Sequence, residues 1–387
     1  MEQNGSQNTE TISSFDDMGL KKPILRGIYA HGFEKPSAIQ KSAIVPMTTG
    51  RDIIAQAQSG TGKTGTFSIG VLQMVDENNP EEQALILSPT RELSRQTYNV
   101  IKSLGQYTDI TIKELIGGQF GNKNISKNNK PANIVVGTPG KVLSELSHNR
   151  INYETIKLLV LDEADEMLSK GFTEQIQEIF RYLSKDAQIA LFSATMSNEI
   201  LEITEEFMND PYKILVKTDE LTLEGIQQYR VDVIKESFKY ETLCDLYSTI
   251  AITQCIIYCN TRKKVYYLSN KLRENDFTVS CIYGDMQQAE RNRVMESFRI
   301  GETRILITTD ILARGIDVQQ VSLVINYDVP NEVETYIHRI GRSGRMGRKG
   351  TAITFSTDYD VDKLSYIEKY YNTKVYELPV NIASIIT

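Results

Sequence analysis

The chain has 387 residues, 40% of them hydrophobic, and carries a formal net charge of −7. That length suggests two or three domains with buried cores. The negative charge excludes a general polyanion binder, so any nucleic acid must meet a local cationic surface. No apolar run approaches the ~18 residues of a membrane span, and no membrane partner is expected.

The opening MEQNGSQNTE lacks the basic-then-apolar pattern of a signal peptide, and residues 1–14 read as a polar tail. Short β-branched runs then alternate with helix-like segments. In the first half they fall at 52–57, 84–89, 134–138, 158–162 and 189–193. In the second half they fall at 255–260, 278–283, 304–309, 323–327 and 351–355. Near-continuous apolar runs suit strands buried on both faces, and alternation with helices implies parallel βαβ sheets. The polar stretch KTDELTLE, 217–224, separates the two sets. The organisation expected is therefore a tail at 1–14, an α/β domain at 15–216, a linker at 217–224 and a second α/β domain at 225–387. Cys244, Cys255, Cys259 and Cys281 lack metal-ligand spacing and read as core thiols; with three histidines, no zinc site is expected.

AQSGTGKT, residues 57–64, follows a strand run and opens a helix, the context a phosphate loop requires. Backbone N–H groups of Ser59, Gly60, Thr61, Gly62, Lys63 and Thr64 can cradle phosphates, helped by the helix N-terminus. Lys63 would neutralise β- and γ-phosphate charge, and Thr64 offers a hydroxyl to Mg²⁺. LLVLDEAD, 158–165, sets Asp162 and Glu163 at the C-terminal end of an apolar strand, the sheet edge that holds ligands in doubly wound folds. Asp162 is placed to hold Mg²⁺ and Glu163 to orient the attacking water. ATP and Mg²⁺ are the ligands expected.

With Asp162-Glu163-Ala164-Asp165 beside a phosphate loop, the chain resembles the DEAD-box family of ATP-dependent RNA helicases. The resemblance covers roughly residue 15 to the C-terminus. It implies two tandem RecA-like parallel-sheet domains joined by a short linker. GFEKPSAIQ, 32–40, resembles the family's adenine-reading motif, with Phe15 upstream at the family's spacing. Gln40 can offer both a donor and an acceptor to an adenine edge. PTRELSRQ (89–96), Gly117-Gly118 and TPGK (138–141) follow in family order. The resemblance gives Pro89, Thr90, Arg91, Gly118, Thr138, Pro139 and Gly140 to the RNA backbone, which amides, hydroxyls and Arg91 can hold without reading bases. Ser193 and Thr195 of Ser-Ala-Thr resemble the motif that couples ATP state to RNA, together with Asp165 and His338.

In the second half Arg262, Asp285, Gln288 and Thr309 resemble further RNA-side positions, and Asp317 a nucleotide contact. HRIGRSGR, 338–345, spaces Arg339, Arg342 and Arg345 three apart. On one helical turn Arg342 and Arg345 would lie about 4.5 Å apart along the axis. Two such guanidiniums can grip a γ-phosphate as arginine fingers. By resemblance the catalytic set is Lys63, Asp162, Glu163, Arg342 and Arg345, with the arginines completing the site when the domains close. The RNA implied is single-stranded or a short duplex. Longer stretches, such as LRGIYAHGFEKPSAIQ and ARGIDVQQVSLVINYD, resemble the family's translation-initiation branch; the alternatives are a close paralogous branch that serves the exon junction as an ATP-gated RNA clamp, and a ribosome-biogenesis paralogue. This implies scaffold and regulatory proteins of initiation as partners, a monomer, and a cytoplasmic location, or a nuclear one for the paralogous branch.

Overall fold

A computed structural model describes residues 12–58, 60–117, 131–168, 172–215, 226–249, 254–313, 321–343 and 350–379. The chain divides into two compact units, Met1–Leu215 and Val216–Thr387. The expected linker, 217–224, lies outside the described residues.

The first unit contains the strands β1 (Ile53–Gln56), β2 (Ala84–Leu87), β3 (Ile112–Leu115), β4 (Ile134–Gly137), β5 (Leu158–Asp162), β6 (Gln188–Ser193) and β7 (Tyr212–Ile214). Its helices are α1 (Lys22–Ala30), α2 (Ala38–Met47), α3 (Lys63–Met74), α4 (Arg91–Leu104), α5 (Pro139–Ser147), α6 (Ala164–Met167), α7 (Thr173–Tyr182) and α8 (Asn198–Thr204). The strands form one sheet, ordered β3-β4-β2-β5-β6-β1-β7, and every pairing is parallel. Successive residues of a strand face opposite sides. Thus Ala84 and Ile86 of β2, with Leu158 and Val160 of β5, join one core with Phe67 and Phe192. Leu85, Leu87, Leu159 and Leu161 join the other with Val142 and Ile176. Each fully buried aliphatic side chain contributes about 1.5–3 kcal/mol, so these strands can be apolar throughout only because both faces are covered.

The second unit contains β8 (Ile226–Asp232), β9 (Cys255–Tyr258), β10 (Val279–Ile282), β11 (Ile305–Thr308), β12 (Leu323–Asn326), β13 (Gly350–Ser356) and β14 (Tyr376–Glu377). Its helices are α9 (Lys239–Thr249), α10 (Arg262–Glu274), α11 (Gln288–Arg299), α12 (Val333–Ile340) and α13 (Val361–Tyr370). The order β10-β11-β9-β12-β13-β8-β14 repeats that of the first sheet strand for strand, again all parallel.

All ten expected strand runs are strands. Four more were not legible: β3 (IKEL), β7 (YKI), β8 (IQQYRVD) and β14 (YE). Three of these are sheet edges, where one flank meets water and polar residues are tolerated. The cysteines are free thiols; Cys255 and Cys259 are buried, and burial pushes the Cys255 thiol up to about 12. Among the described residues, no helix is long and apolar enough to cross a membrane.

Candidate nucleotide and RNA sites

The C-terminal edge of the first sheet carries the candidate chemistry in two neighbouring halves. On one side, β1 runs into the phosphate loop, β5 ends at Asp162 and β6 ends at Ser193. Gly60 and Gly62 have φ of 84° and 106°, left-handed backbone that favours glycine. Their turn lets α3 begin at Lys63, with its first N–H groups aimed back over the loop. Thr61 Oγ1 donates to the Gln58 carbonyl at 2.7 Å, and Thr64 is half-buried in the first turn of α3. Ser59 lies outside the described residues.

Lys63 is buried; its Nζ donates to the Ala57 carbonyl at 2.9 Å and lies 3.9 Å from Glu163 Oε2. Asp162 and Glu163 are buried as well. Burial pushes the Asp162 carboxyl up to about 8; the adjacent Glu163 carboxylate adds to the rise and Lys63 opposes it. Asp162 Oδ1 accepts from the Glu163 N–H at 3.1 Å, while Oδ2 is buried with no hydrogen-bond partner among the described residues. An orphaned carboxylate oxygen is costly to fold around. Beside a phosphate loop it suits a hard cation that prefers oxygen ligands, so the residues present fit Mg²⁺. Glu163 has φ of 52°, an uncommon conformation for a residue with a Cβ, which the strand end and α6 impose.

Behind this pair, Asp165 fastens Ser-Ala-Thr. Its Oδ1 accepts from Ser193 Oγ at 2.7 Å, and its Oδ2 from Thr195 Oγ1 at 2.7 Å. The three expected coupling residues of this unit therefore form one buried cluster.

Gln40 sits in the first turn of α2, where its Oε1 accepts from the Ser37 N–H at 2.8 Å. That bond fixes the amide orientation and turns Nε2 toward Gly62 and Gly65. A Cβ at Gly62 or Gly65 would fall 2.9 Å from this Nε2, which is how the two glycines admit Gln40. Phe15 departs from expectation. Its ring is fully buried and stacks at 6.4 Å on Phe33, so it does not itself face a ligand. Phe33 is half-buried, and its ring edge comes within 2.9 Å of a Cβ placed at Gly65. Phe33, inside GFEKPSAIQ, is the less buried of the two rings and lies against Gly65 beside Gln40; only packing tells it from Phe15.

The other half of the edge holds the residues expected on the RNA side. Pro89, Thr90 and Arg91 follow β2, and Thr138, Pro139 and Gly140 follow β4. Thr90 caps α4, its Oγ1 accepting from the Leu93 N–H at 3.2 Å, and Thr138 precedes α5, with Pro139 as its first residue. Two helix N-termini thus open on one edge, each a ready anion site. The Arg91 guanidinium lies 3.2 Å from where a Cβ on Gly117 would stand, so the loop after β3 joins them. Gly118 lies outside the described residues.

In the second unit Arg262 is the first residue of α10 and forms an exposed ion pair with Asp285. Gln288 opens α11, its Nε2 donating to Asn292 Oδ1 at 3.0 Å, and Thr309 follows β11. His338 is buried in α12. The expected single helical turn for the arginines is corrected: α12 ends at Ile340, and Arg342 stands in the turn beyond it, where its N–H donates to the Arg339 carbonyl at 3.2 Å. Gly341 is the C-cap of α12, so the three-residue spacing from Arg339 to Arg342 does not lie within one helix. Arg342 is buried, with Nε donating to the His338 carbonyl at 3.2 Å. Arg345 and Asp317 lie outside the described residues.

Arg339 has a role the sequence did not reveal. It is fully buried; Nε donates to Asp310 Oδ1 at 2.5 Å, Nη1 to the Asp328 carbonyl at 2.8 Å and Nη2 to Asn260 Oδ1 at 2.8 Å. It ties the loops after β9, β11 and β12 to α12. Asp328 in turn accepts from Lys264 at 2.6 Å, Lys239 at 3.2 Å and the Asn260 N–H at 2.9 Å.

Comparison with known proteins agrees with this geometry. Residues 37–203 match the DEAD/DEAH box helicase family and residues 238–347 match the helicase conserved C-terminal domain. The chain is 56% identical to eukaryotic initiation factor 4A of Caenorhabditis elegans over 377 residues, covering 97% of this chain and 94% of that protein. It is likewise 56% identical to eukaryotic initiation factor 4A-3 of Nicotiana plumbaginifolia, covering 98% and 97%. Among solved structures, S. cerevisiae Dbp5 bound to RNA and ADP BeF3 matches with a TM-score of 0.90 at 39% identity, covering 95% of this chain and 96% of that one. Two RecA-like sheets, a phosphate loop facing an Asp-Glu strand end and identity above half along nearly the full length leave one assignment: the chain belongs to the DEAD-box family of ATP-dependent RNA helicases.

Proposed function

We propose that this helicase acts in translation initiation, opening short duplexes in mRNA with sequence-independent contacts to the RNA backbone. The relatives named initiation factor 4A support that role. The observation that carries the chemistry is the meeting of Lys63, Asp162 and Glu163 at neighbouring strand ends, on the same sheet edge as two helix N-termini suited to phosphates. In this reading Lys63 binds phosphate oxygens and Glu163 orients and deprotonates the attacking water. Thr64 and Asp162 would hold Mg²⁺, which supplies charge compensation to the phosphates. Pro89–Arg91 and Thr138–Gly140 hold one strand of RNA, with Arg262, Asp285, Gln288 and Thr309 contributing from the second unit.

The described arginines of the first unit lie elsewhere: Arg51 pairs with Asp210, Arg95 with Glu114, Arg150 with Glu145 and Arg181 with Glu178, while Arg26 stacks on Tyr107 and Arg91 adjoins Gly117. We therefore assign the transition-state arginines to the second unit, at Arg342 and Arg345, with Asp317 beside them. If this holds, RNA accelerates ATP turnover because it favours the arrangement in which both units engage the nucleotide. Arg342→Ala should then leave nucleotide binding within about twofold and lower RNA-stimulated turnover on the order of 10³-fold. Turnover equal with and without RNA sinks the proposal. The reading implies a monomer with scaffold and regulatory partners in the cytoplasm. Equal identity to the 4A-3 relative supports a second reading, a slowly hydrolysing RNA clamp of the exon-junction type. Recovery of cap-binding scaffolds from extract favours the first, and recovery of junction components the second.

A further inference from the structure

The adenine-side pocket is fastened to the far end of an RNA-side helix. Helix α4 starts at the RNA-side residues Thr90 and Arg91 and ends fourteen residues later at Leu104. At that end α1 is locked onto it. A Cβ at Gly27 of α1 would fall 1.8 Å from the Leu104 carbonyl oxygen, so the two backbones touch and only glycine fits. Arg26, beside it, lies 4.0 Å over the ring of Tyr107. The residue that ends α1 is His31, and its Nδ1 is hydrogen-bonded to Ser103 Oγ at 2.8 Å. The other side of the His31 ring packs edge-on to Phe33 at 4.7 Å. Phe33 is thereby held between His31 and the buried Phe15, with its ring edge over Gly65 at the head of α3.

From these contacts we propose that His31 is a positioning residue for nucleotide recognition, holding Phe33 against the phosphate-loop helix and joining the adenine pocket to α4. Phe33 alone is tethered by a short loop between α1 and α2 and has two aromatic neighbours; removing one leaves the ring free to turn away from the ligand. An aromatic ring held in place preorganises the pocket, and preorganisation appears in ground-state binding rather than in the chemical step. Stacking accepts any base, but the Phe33 ring and Gln40 Nε2 flank the same point above Gly65, each 2.9 Å from it, so a loosened ring also loosens the amide that faces the base edge, and the effect discriminates between nucleotides. This inference rests on the reading of Phe33 and Gln40 as the base-binding surface.

The test is steady-state ATPase at saturating RNA for His31→Ala, His31→Phe and Ser103→Ala, with ATP and with GTP. His31→Ala should raise KM for ATP about tenfold with kcat within about twofold, and narrow the preference for ATP over GTP. His31→Phe keeps a ring against Phe33 and should restore KM to within about threefold of the parent. Ser103→Ala removes only the tether and should fall between. An unchanged KM in His31→Ala overturns the proposal, as does a loss that is equal for both nucleotides or seated in kcat. His31→Phe covers the case in which the alanine variant does not fold: a KM as poor as that of the tether-less protein would count against ring packing. RNA-stimulated turnover persisting at saturating ATP in all variants would leave the helicase reading intact even if His31 proved silent.

Discussion

The two sheets have the same strand order, yet their matching positions handle buried charge in opposite ways. In the first, Asp162 ends the central strand β5; in the second, Asp328 stands two residues past β12, the strand in the same place. Both carboxylates are buried. Burial raises Asp162, and the adjacent Glu163 carboxylate adds to the rise. Burial works to raise Asp328 too, but the Lys264 ammonium, the Asn260 N–H and Lys239 hold it below the ordinary carboxylate value. One unit leaves a charge site incomplete, with an orphaned oxygen and a strained Glu163, and the other closes its charges into a network around Arg339. An incomplete buried site costs stability and gains it back from a ligand. A complete one is scaffolding, here for the loops after β9 and β11 and for the helix that leads to Arg342.

The largest effect that sharpens this contrast concerns the chemistry of the incomplete site. Glu163→Gln should keep ATP binding and lower RNA-stimulated kcat by roughly 10²–10⁴-fold, the usual range for loss of a positioned base. Single-turnover hydrolysis checks it, and a near-normal rate removes Glu163 from that role.

Next comes the complete site. Asp328→Asn leaves Lys239, itself almost fully buried, with Glu236 alone at 2.9 Å. Breaking a buried pair from one side costs about 3–5 kcal/mol, read by denaturant unfolding of the full chain. Because the folded carboxyl lies below its unfolded value, its contribution is present above the unfolded pKa and is lost as pH falls through the folded value. The difference between parent and variant should therefore shrink in acid; a difference that is constant with pH would speak against the network.

The smallest effect has the opposite sign. Asp162 is raised, so the folded chain binds a proton that the unfolded chain has released between pH about 4 and about 8. Folding must take up that proton, so the ligand-free fold loses stability progressively as pH rises through that window. Asp162→Asn should raise the melting temperature of the ligand-free chain by a few degrees at pH about 8, and less at pH about 5. The same variant should lose the stabilisation that Mg²⁺ and ATP give the parent. A ligand-free variant less stable than the parent at pH about 8 would break the contrast between the two carboxylates.

Ten strands, nine inside their sheets and β10 at an edge, were legible because parallel strands covered on both faces need unbroken apolar runs. The edge strands β3, β7 and β14 were not, since IKEL, YKI and YE carry no such demand. The phosphate loop was legible because phosphate binding needs glycines and a lysine at fixed spacing after a strand. Asp162 and Glu163 were legible by the same local logic, at a strand end, whereas Ser-Ala-Thr was legible only through its resemblance to a family motif. Sequence alone determined the family, the ATP chemistry and the division into two similar units. Only tertiary packing decided that Phe15 is buried behind Phe33, that Arg339 ties three loops to α12, and that α12 stops before Arg342. It also decided that two aspartates near the C-terminal ends of corresponding strands carry opposite pKa shifts. These depend on what lies across the fold at 3–6 Å, and no spacing along the chain encodes that distance.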